Sequence, residues 1–343
     1  MPIPPLTIDS PTSQPTKHYR YLDGWRGLSI IAVLMGHYLS LPVINTGRLG
    51  VEMFFVLSGR LMAEILFVKK AALPTFFKRR ISRVYPVFIL FICTMWAVFG
   101  NASGALHLSS QAAVACLTFT YNYLHSYFGE SQVVDHVWSL CIEEHVYIVL
   151  GLMAYLSRKY KLDAAKCLSA VALIFMLNGA FQTLYLGLDY YDVYWRSDTR
   201  GASIIISVVI YLLFQQRAVK APGWIPILFF VLAAALNIYR VPDPVKYSLG
   251  TVCLAVSINT LSTLPAWAMR ILSNSIIVWT GLISFSLYLW QQPFYKLIGV
   301  LPGPALLAIA IICAIASYQL IEVPARRYLN ERWVGAHKTP KPA

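Results

Sequence analysis

The sequence predicts an all-α fold, a polytopic membrane helix bundle of about ten transmembrane helices plus one partial or re-entrant helix. The first reason is composition. Of 343 residues, 58% are hydrophobic and only 13% charged, whereas an ordinary soluble domain is about 25% charged. Mean hydropathy is +0.60. The second is that the apolar residues fall in long continuous runs rather than the period-two alternation of an outer-membrane barrel. The third is that Lys and Arg gather between the runs, as they do in the cytoplasmic loops of membrane proteins. These features exclude disorder, collagen and coiled coil. The net charge of +13 is accounted for by those loops, so no nucleic-acid partner is expected.

Along the chain, residues 1–17 are rich in Pro, Ser and Thr without an apolar core; a disordered cytoplasmic tail is expected, not a signal peptide. Apolar runs follow near 28–44, 50–68, 84–100, 138–157, 166–187, 202–214, 224–238, 247–264, 276–299 and 304–321. Most reach the ~20 residues that a spanning helix needs. A further run, 108–124, contains Ser, Thr, Gln and Asn. If it does not cross, the clusters at Lys78–Arg83, Arg158–Lys161, Arg217–Lys220, Arg270 and Arg326–Arg332 all fall on the same side as Lys17–Arg26. The positive-inside rule therefore favours ten crossings, a single transmembrane domain over 18–333, a loose tail over 334–343, and both termini cytoplasmic. Six cysteines lie in apolar segments without metal-ligand spacing and read as small hydrophobes.

Ionisable side chains inside a bilayer cost at least ~2.5–3.5 kcal/mol each and mark function by default. Here they are His37, Glu52, Arg60, Glu64, Glu143 and Glu144. Arg60 and Glu64 are four apart and read as a structural pair. Arg26 and His37 are eleven apart, about 16 Å and close to three helical turns, so they share a face. Arg26 is expected at the cytoplasmic mouth and His37 near mid-membrane. His136, Ser139, Glu143 and Tyr147 form a second stripe, with Trp138 suited to an interfacial aromatic belt. Ser284, Tyr288 and Gln291 form a third. Asp198 and Arg200 flank an extracytoplasmic span end, either as a surface ion pair or as part of a site. Lys78, Arg79, Arg80 and Arg83 are a topology signal or a phosphate clamp, since guanidinium forks suit phosphate oxygens. No Walker, GxGxxG, HExxH or GxSxG pattern occurs. This argues against an ATP-driven pump and a zinc protease, and no metal is expected.

Six segments in order resemble the acyltransferase 3 family of bacterial membrane acyltransferases, which includes O-antigen and exopolysaccharide O-acetylases. They are Asp23-Gly-Trp-Arg26-Gly with His37; Gly50-Val-Glu-Met-Phe-Phe-Val-Leu-Ser-Gly59; Phe77-Lys-Arg-Arg-Ile-Ser-Arg83 with Pro86; His136-Val-Trp-Ser-Leu-Cys-Ile-Glu143-Glu with Tyr147; Ser284-Phe-Ser-Leu-Tyr-Leu-Trp290; and Glu322-Val-Pro324-Ala-Arg326-Arg. Three positions depart from the pattern: Gln291 where many relatives carry His, Glu52 where Asp is common, and Arg60 where an apolar residue is usual. The change at Gln291 removes a titratable group.

The resemblance implies an O-acyltransferase of the bacterial inner membrane. It would move an acyl group, usually acetyl, from a coenzyme A thioester to a hydroxyl of a surface polysaccharide or lipid-linked sugar. Acetyl-CoA or another acyl-CoA is then a substrate, and no bound cofactor is implied. Carried over by position, His37 is the catalytic residue, as general base or as acyl carrier, and Glu143 is assigned beside it. Arg26, Arg79, Arg80 and Arg83 would hold the donor. Trp138 and Ser139 match the same motif as Glu143; with His136, Asp198, Arg200, Ser284 and Tyr288, read from their own places in the chain, they are expected to bind the acceptor or support the site, Trp138 by offering a face to a pyranose. The competing reading is a secondary transporter of polysaccharide or lipid-linked sugar, which polar residues within spans would suit equally. The bilayer is a partner on either reading, and no oligomeric state is implied.

Overall fold

The computed structural model describes residues 19–39, 41–128, 130–218 and 221–334. The tails expected at 1–17 and 334–343 lie outside the described residues, apart from Val334 at the end of the last helix, as do Lys17 and Lys220 of the basic clusters. Among the described residues there is no strand, only two isolated bridges.

The helices in order are α1 (Arg20–Tyr38), α2 (Thr46–Met62), α3 (Leu73–Phe99), α4 (Ser110–Leu117), α5 (Tyr121–Phe128), α6 (Val137–Tyr160), α7 (Ala164–Leu184), α8 (Tyr190–Tyr194), α9 (Ser197–Arg200), α10 (Ala202–Gln216), α11 (Ile225–Leu236), α12 (Asp243–Val245), α13 (Thr251–Thr260), α14 (Ala266–Leu272), α15 (Ser275–Leu282), α16 (Ser284–Tyr295), α17 (Gly303–Ser317) and α18 (Val323–Val334). Wider-wound π segments extend α2 through Ala63–Val68, join α12 to α13 through Lys246–Gly250, and join α17 to α18 through Tyr318–Glu322. Local chemistry sets many starts. Side chains of Asn45, Ser109, Asp163 and Asn274 cap α2, α4, α7 and α15, occupying backbone N–H groups that lack helical partners. Pro74, Pro226 and Pro304 stand in the first turns of α3, α11 and α17, where a missing N–H is harmless.

Five helices are long and apolar enough to cross a membrane: Leu73–Phe99, Val137–Tyr160, Ala164–Leu184, Ser197–Gln216 and Gly303–Trp333. The pair Asp243–Thr263 and Ala266–Leu272, bent by 109°, makes a sixth if taken as one span. The 108–124 run forms α4 and α5, eight residues each and about 12 Å long. Large apolar side chains face outward, among them Leu173, Ile174 and Leu177 on α7, Ile148 and Leu152 on α6, and Ile312 and Leu320 on the last rod. An apolar exterior of this extent fits hydrocarbon rather than water, and the protein is a multi-pass membrane bundle. Cys116 and Cys141 are buried as expected of small hydrophobes, but Cys93 faces outward from α3 and the other three are partly buried.

Cross-links define two ends. At one, Arg20 reaches Ser273 O, Arg158 reaches Leu66 O and Ala71 O, and Ser82 bonds Asn330. At the other, Asn45 N bonds Asn237 O, Arg48 pairs with Asp243, and Gln292 bonds Gln132 O. We call these the α1-start end and the α1-finish end. Glycines seat α1 against its neighbours. A Cβ built on Gly27 would lie 2.0 Å from Ile277 O, and one on Gly281 2.0 Å from Asp23 O, so α1 and α15 meet backbone to backbone. A Cβ on Gly36 would lie 2.3 Å from Gly47 N, which draws the finish of α1 onto the start of α2.

Candidate active site

Five helices converge on a cavity of about 100 Å³. Arg26 of α1, Ser58 of α2, Arg80 and Arg83 of α3, Ser139, Glu143 and Tyr147 of α6, and Ser284 and Tyr288 of α16 all line it. The i, i+4 stripe on α6 thus lies along one wall, as helical spacing requires.

The charges inside are unevenly matched. Arg80 bonds Glu143 through Nη2 (2.9 Å) and Glu144 through Nε (2.8 Å), with its guanidinium 3.7 Å over the Tyr147 ring. Glu143 also accepts from Ser58 Oγ at 3.0 Å and Tyr147 Oη at 3.1 Å. Both are fully occupied by one another and their neighbours. Arg26 pairs with Asp23 at 2.8 Å. Arg83 makes no hydrogen bond or ion pair among the described residues, and Arg26, Arg326 and Glu322 are the nearest charges that act on it. A half-buried guanidinium that lines a cavity and lacks a carboxylate partner among the described residues has the donor geometry suited to an anion. Arg79 does not line the cavity.

His37 lies elsewhere. It stands in the last turn of α1, at the α1-finish end, and is not part of the cavity wall. The helix stops at Tyr38, so the face shared with Arg26 does not bring the imidazole into the cavity. Nor is His37 bonded to Glu143. Its Nδ1 lies 2.7 Å from Gln291 Oε1, and its ring stacks on Tyr295 at 4.4 Å. Gln291 is fully buried, and its Nε2 donates to Tyr288 O at 3.4 Å. Tyr288 in turn bonds Ser139 Oγ (2.7 Å) and His136 O (3.1 Å). Tyr288 and Gln291, one turn apart on α16, therefore connect the cavity to the histidine. The His136 ring packs 5.2 Å from Tyr288, and neither ring nitrogen has a partner among the described residues.

Other expectations need correcting. Asp198 and Arg200 do not pair with each other. Asp198 pairs with Arg196 at 2.8 Å, while Arg200 forms a 2.6 Å bridge to Glu52, the two side chains 3% and 2% exposed. Ser203 donates to Glu52 at 2.6 Å and Thr251 at 3.3 Å, so the glutamate ties α2 to α9, α10 and α13. The Trp138 ring packs on Phe55, Tyr194 and Trp195 and is 7% exposed; protein covers the surface meant for a sugar. Arg60 and Glu64 do form the i, i+4 bridge, at 2.9 Å.

A family model described as an acyltransferase domain matches residues 19–319. The chain belongs to the acyltransferase 3 family. Peptidoglycan O-acetyltransferase OatA of Listeria monocytogenes is 27% identical over 354 residues, covering 91% of this chain and 56% of that protein. YrhL of Bacillus subtilis is 25% identical over 354 residues, with the same 91% and 56% covered. The chain thus spans a little over half the length of these relatives. No solved structure matches it.

Within this family member, sequence spacing names Tyr147, Glu144 and Gln291 but not the partners that give them a place in the site. Gln291 was set aside for lacking a titratable proton, yet it holds His37. Ser58 and Tyr147 grip Glu143, and Glu144 shares Arg80. Arg48, Tyr190 and Tyr247 were passed over entirely; the only signal was a tyrosine-rich stretch at 190–194.

Proposed function

We propose that the protein is a membrane O-acetyltransferase that moves an acetyl group from acetyl-CoA to a hydroxyl of a glycan, with His37 as general base. The names of the relatives favour a peptidoglycan-type acceptor. The observation that carries the reading is the His37–Gln291 bond. An amide oxygen only accepts, so Nδ1 must carry the proton and Nε2 keeps its lone pair. Nε2 takes the proton of the acceptor hydroxyl as that oxygen attacks the thioester carbon. The carbon–sulfur bond then breaks, and the thiolate leaves with the proton returned by the imidazolium.

The donor's phosphates fit the Arg26–Arg83 cavity. Arg83→Ala is expected to raise the KM for acetyl-CoA about 10–100-fold, the loss of one charge-assisted bond, with little change in kcat. Gln291→Leu is expected to lower kcat about a hundredfold by freeing the ring while leaving the donor KM alone. Gln291→His, which restores a ring nitrogen able to accept, is expected to retain most of the rate.

Ten helical rods underlie ten crossings on this reading: α1, α2, α3, α6, α7, α9–α10, α11, α12–α13, α15–α16 and α17–α18. Arg20, Lys69, Lys70, Lys78, Arg158, Arg217, Arg270 and Arg326 fall at the α1-start end, which makes that end cytoplasmic. A single domain over 18–333 and an inner-membrane location follow. The test is purified protein with acetyl-labelled acetyl-CoA and a glycan acceptor. Label in the glycan supports the enzyme. Glycan movement across vesicles with no label transferred supports a transporter and overturns it.

A further inference from the structure

A second cavity, of about 110 Å³, opens at the α1-finish end between α7, α8, α9 and the start of α12–α13. Its walls are aromatic. Tyr190 and Tyr194 stack at 4.9 Å, Tyr194 and Tyr247 lie at 5.0 Å, and all three line the space. Arg48 sits 3.6 Å over the Tyr190 ring and Arg200 4.0 Å over Tyr247, which fixes the rings in place. An enclosed apolar cavity of about 150 Å³ takes one benzene, so this smaller space, which opens at the surface, holds one edge of a six-membered ring rather than the whole of it.

Its polar groups include acceptors as well as the Arg200 guanidinium, a donor. Thr183, Thr199 and Ser248 each donate their hydroxyl proton back to a main-chain carbonyl (Gly179, Val193 and Pro244), so what they turn to the cavity is lone pairs. Asp243 engages Arg48 and Lys246 through Oδ1 alone, which leaves Oδ2 as a further acceptor. The Tyr194 side chain is 4% exposed and its hydroxyl has no partner among the described residues. A buried hydroxyl is seldom left unpaired without a reason. Aromatic walls beside both acceptors and a guanidinium complement a ring that carries hydroxyl groups, which donate and accept.

Two residues of α2 link the histidine to the cavity wall. A Cβ on Gly47 would lie 3.7 Å from His37 Cδ2, and the next residue is Arg48, which covers Tyr190. We propose that this tyrosine cleft binds one pyranose unit of the glycan acceptor and presents the chain to His37. The proposal rests on the acetyltransferase reading for its purpose but not for its test.

The test uses the full-length protein in detergent, titrated with N-acetylchitotetraose and followed by tryptophan fluorescence, because Trp138 lies 4.7 Å from Tyr194. Tyr194→Phe removes only the unpartnered hydroxyl, so the melting temperature and the KM for acetyl-CoA are expected to stay as in wild type. Binding of the tetramer is expected to weaken about five- to tenfold, with a matching rise in acceptor KM. Ser248→Ala is expected to weaken it by a similar factor. Wild-type affinity in both variants, or no binding of the tetramer to the wild type, overturns the cleft. Should the variants weaken binding while no preparation transfers label, the cleft stands and the transferase reading falls. Should label transfer continue in both variants at unchanged acceptor KM, the transferase reading stands and the cleft falls.

Discussion

Replacing His37 with Ala is expected to slow acetyl transfer by about 10²–10⁴-fold, the usual worth of a positioned general base. The fold should survive it. The imidazole makes one hydrogen bond, to Gln291, and stacks on one ring, Tyr295. It lies in the last turn of α1, where helices fray and substitution is tolerated. The cost is one amide oxygen left without its partner, about 1–3 kcal/mol at most. Initial rates with labelled acetyl-CoA and a glycan, alongside a melting curve, separate chemistry from stability. A wild-type rate from a well-inserted His37→Ala protein would remove the histidine from the mechanism.

The largest expected loss of stability comes from Glu52→Ala. Glu52 and Arg200 are sealed from solvent and joined at 2.6 Å. Removing the carboxylate leaves a guanidinium with hydroxyl partners and no counter-charge. Breaking a buried pair from one side costs about 3–5 kcal/mol, which is about a 4–7 °C fall in melting temperature for a chain of this size. Replacing both partners with apolar residues, Glu52→Leu with Arg200→Met, is expected to recover most of that fall, because no buried charge is then stranded. Detergent-solubilised melting curves of the single and double variants measure this. A double variant no more stable than the single one would show that the pair does more than neutralise itself.

What the sequence made legible follows from periodicity. The Ser139, Glu143 and Tyr147 stripe, the Arg60–Glu64 bridge and the interruption at 108–124 all depend on spacing within one helix or on apolar length, and each is there in the fold. What spacing cannot supply is which helix meets which. Arg200 and Glu52 are 148 residues apart, and Arg80 and Glu143 are 63 apart, so the partner of each charge becomes visible only in three dimensions. Distance from the cavity was illegible for a related reason. Arg26 and His37 do share α1, but an apolar run over 28–44 does not reveal that the helix ends at Tyr38, and with it that the imidazole stands past the cavity rather than in it. Trp138 was misjudged because an indole suited to a sugar face is equally suited to Phe55, Tyr194 and Trp195.

The backbone-to-backbone seating of α1 on α15 and α2 turns that helix into a gauge. Arg26 and His37 are mounted on one rod that has no room to slide, so the interval between them, about 16 Å, is constant through turnover. On the proposed reading, with the donor's phosphates at Arg26 and the base at His37, that interval asks for a reactive carbon on a slender tether, which a thioester on an extended arm supplies and a compact acyl phosphate does not.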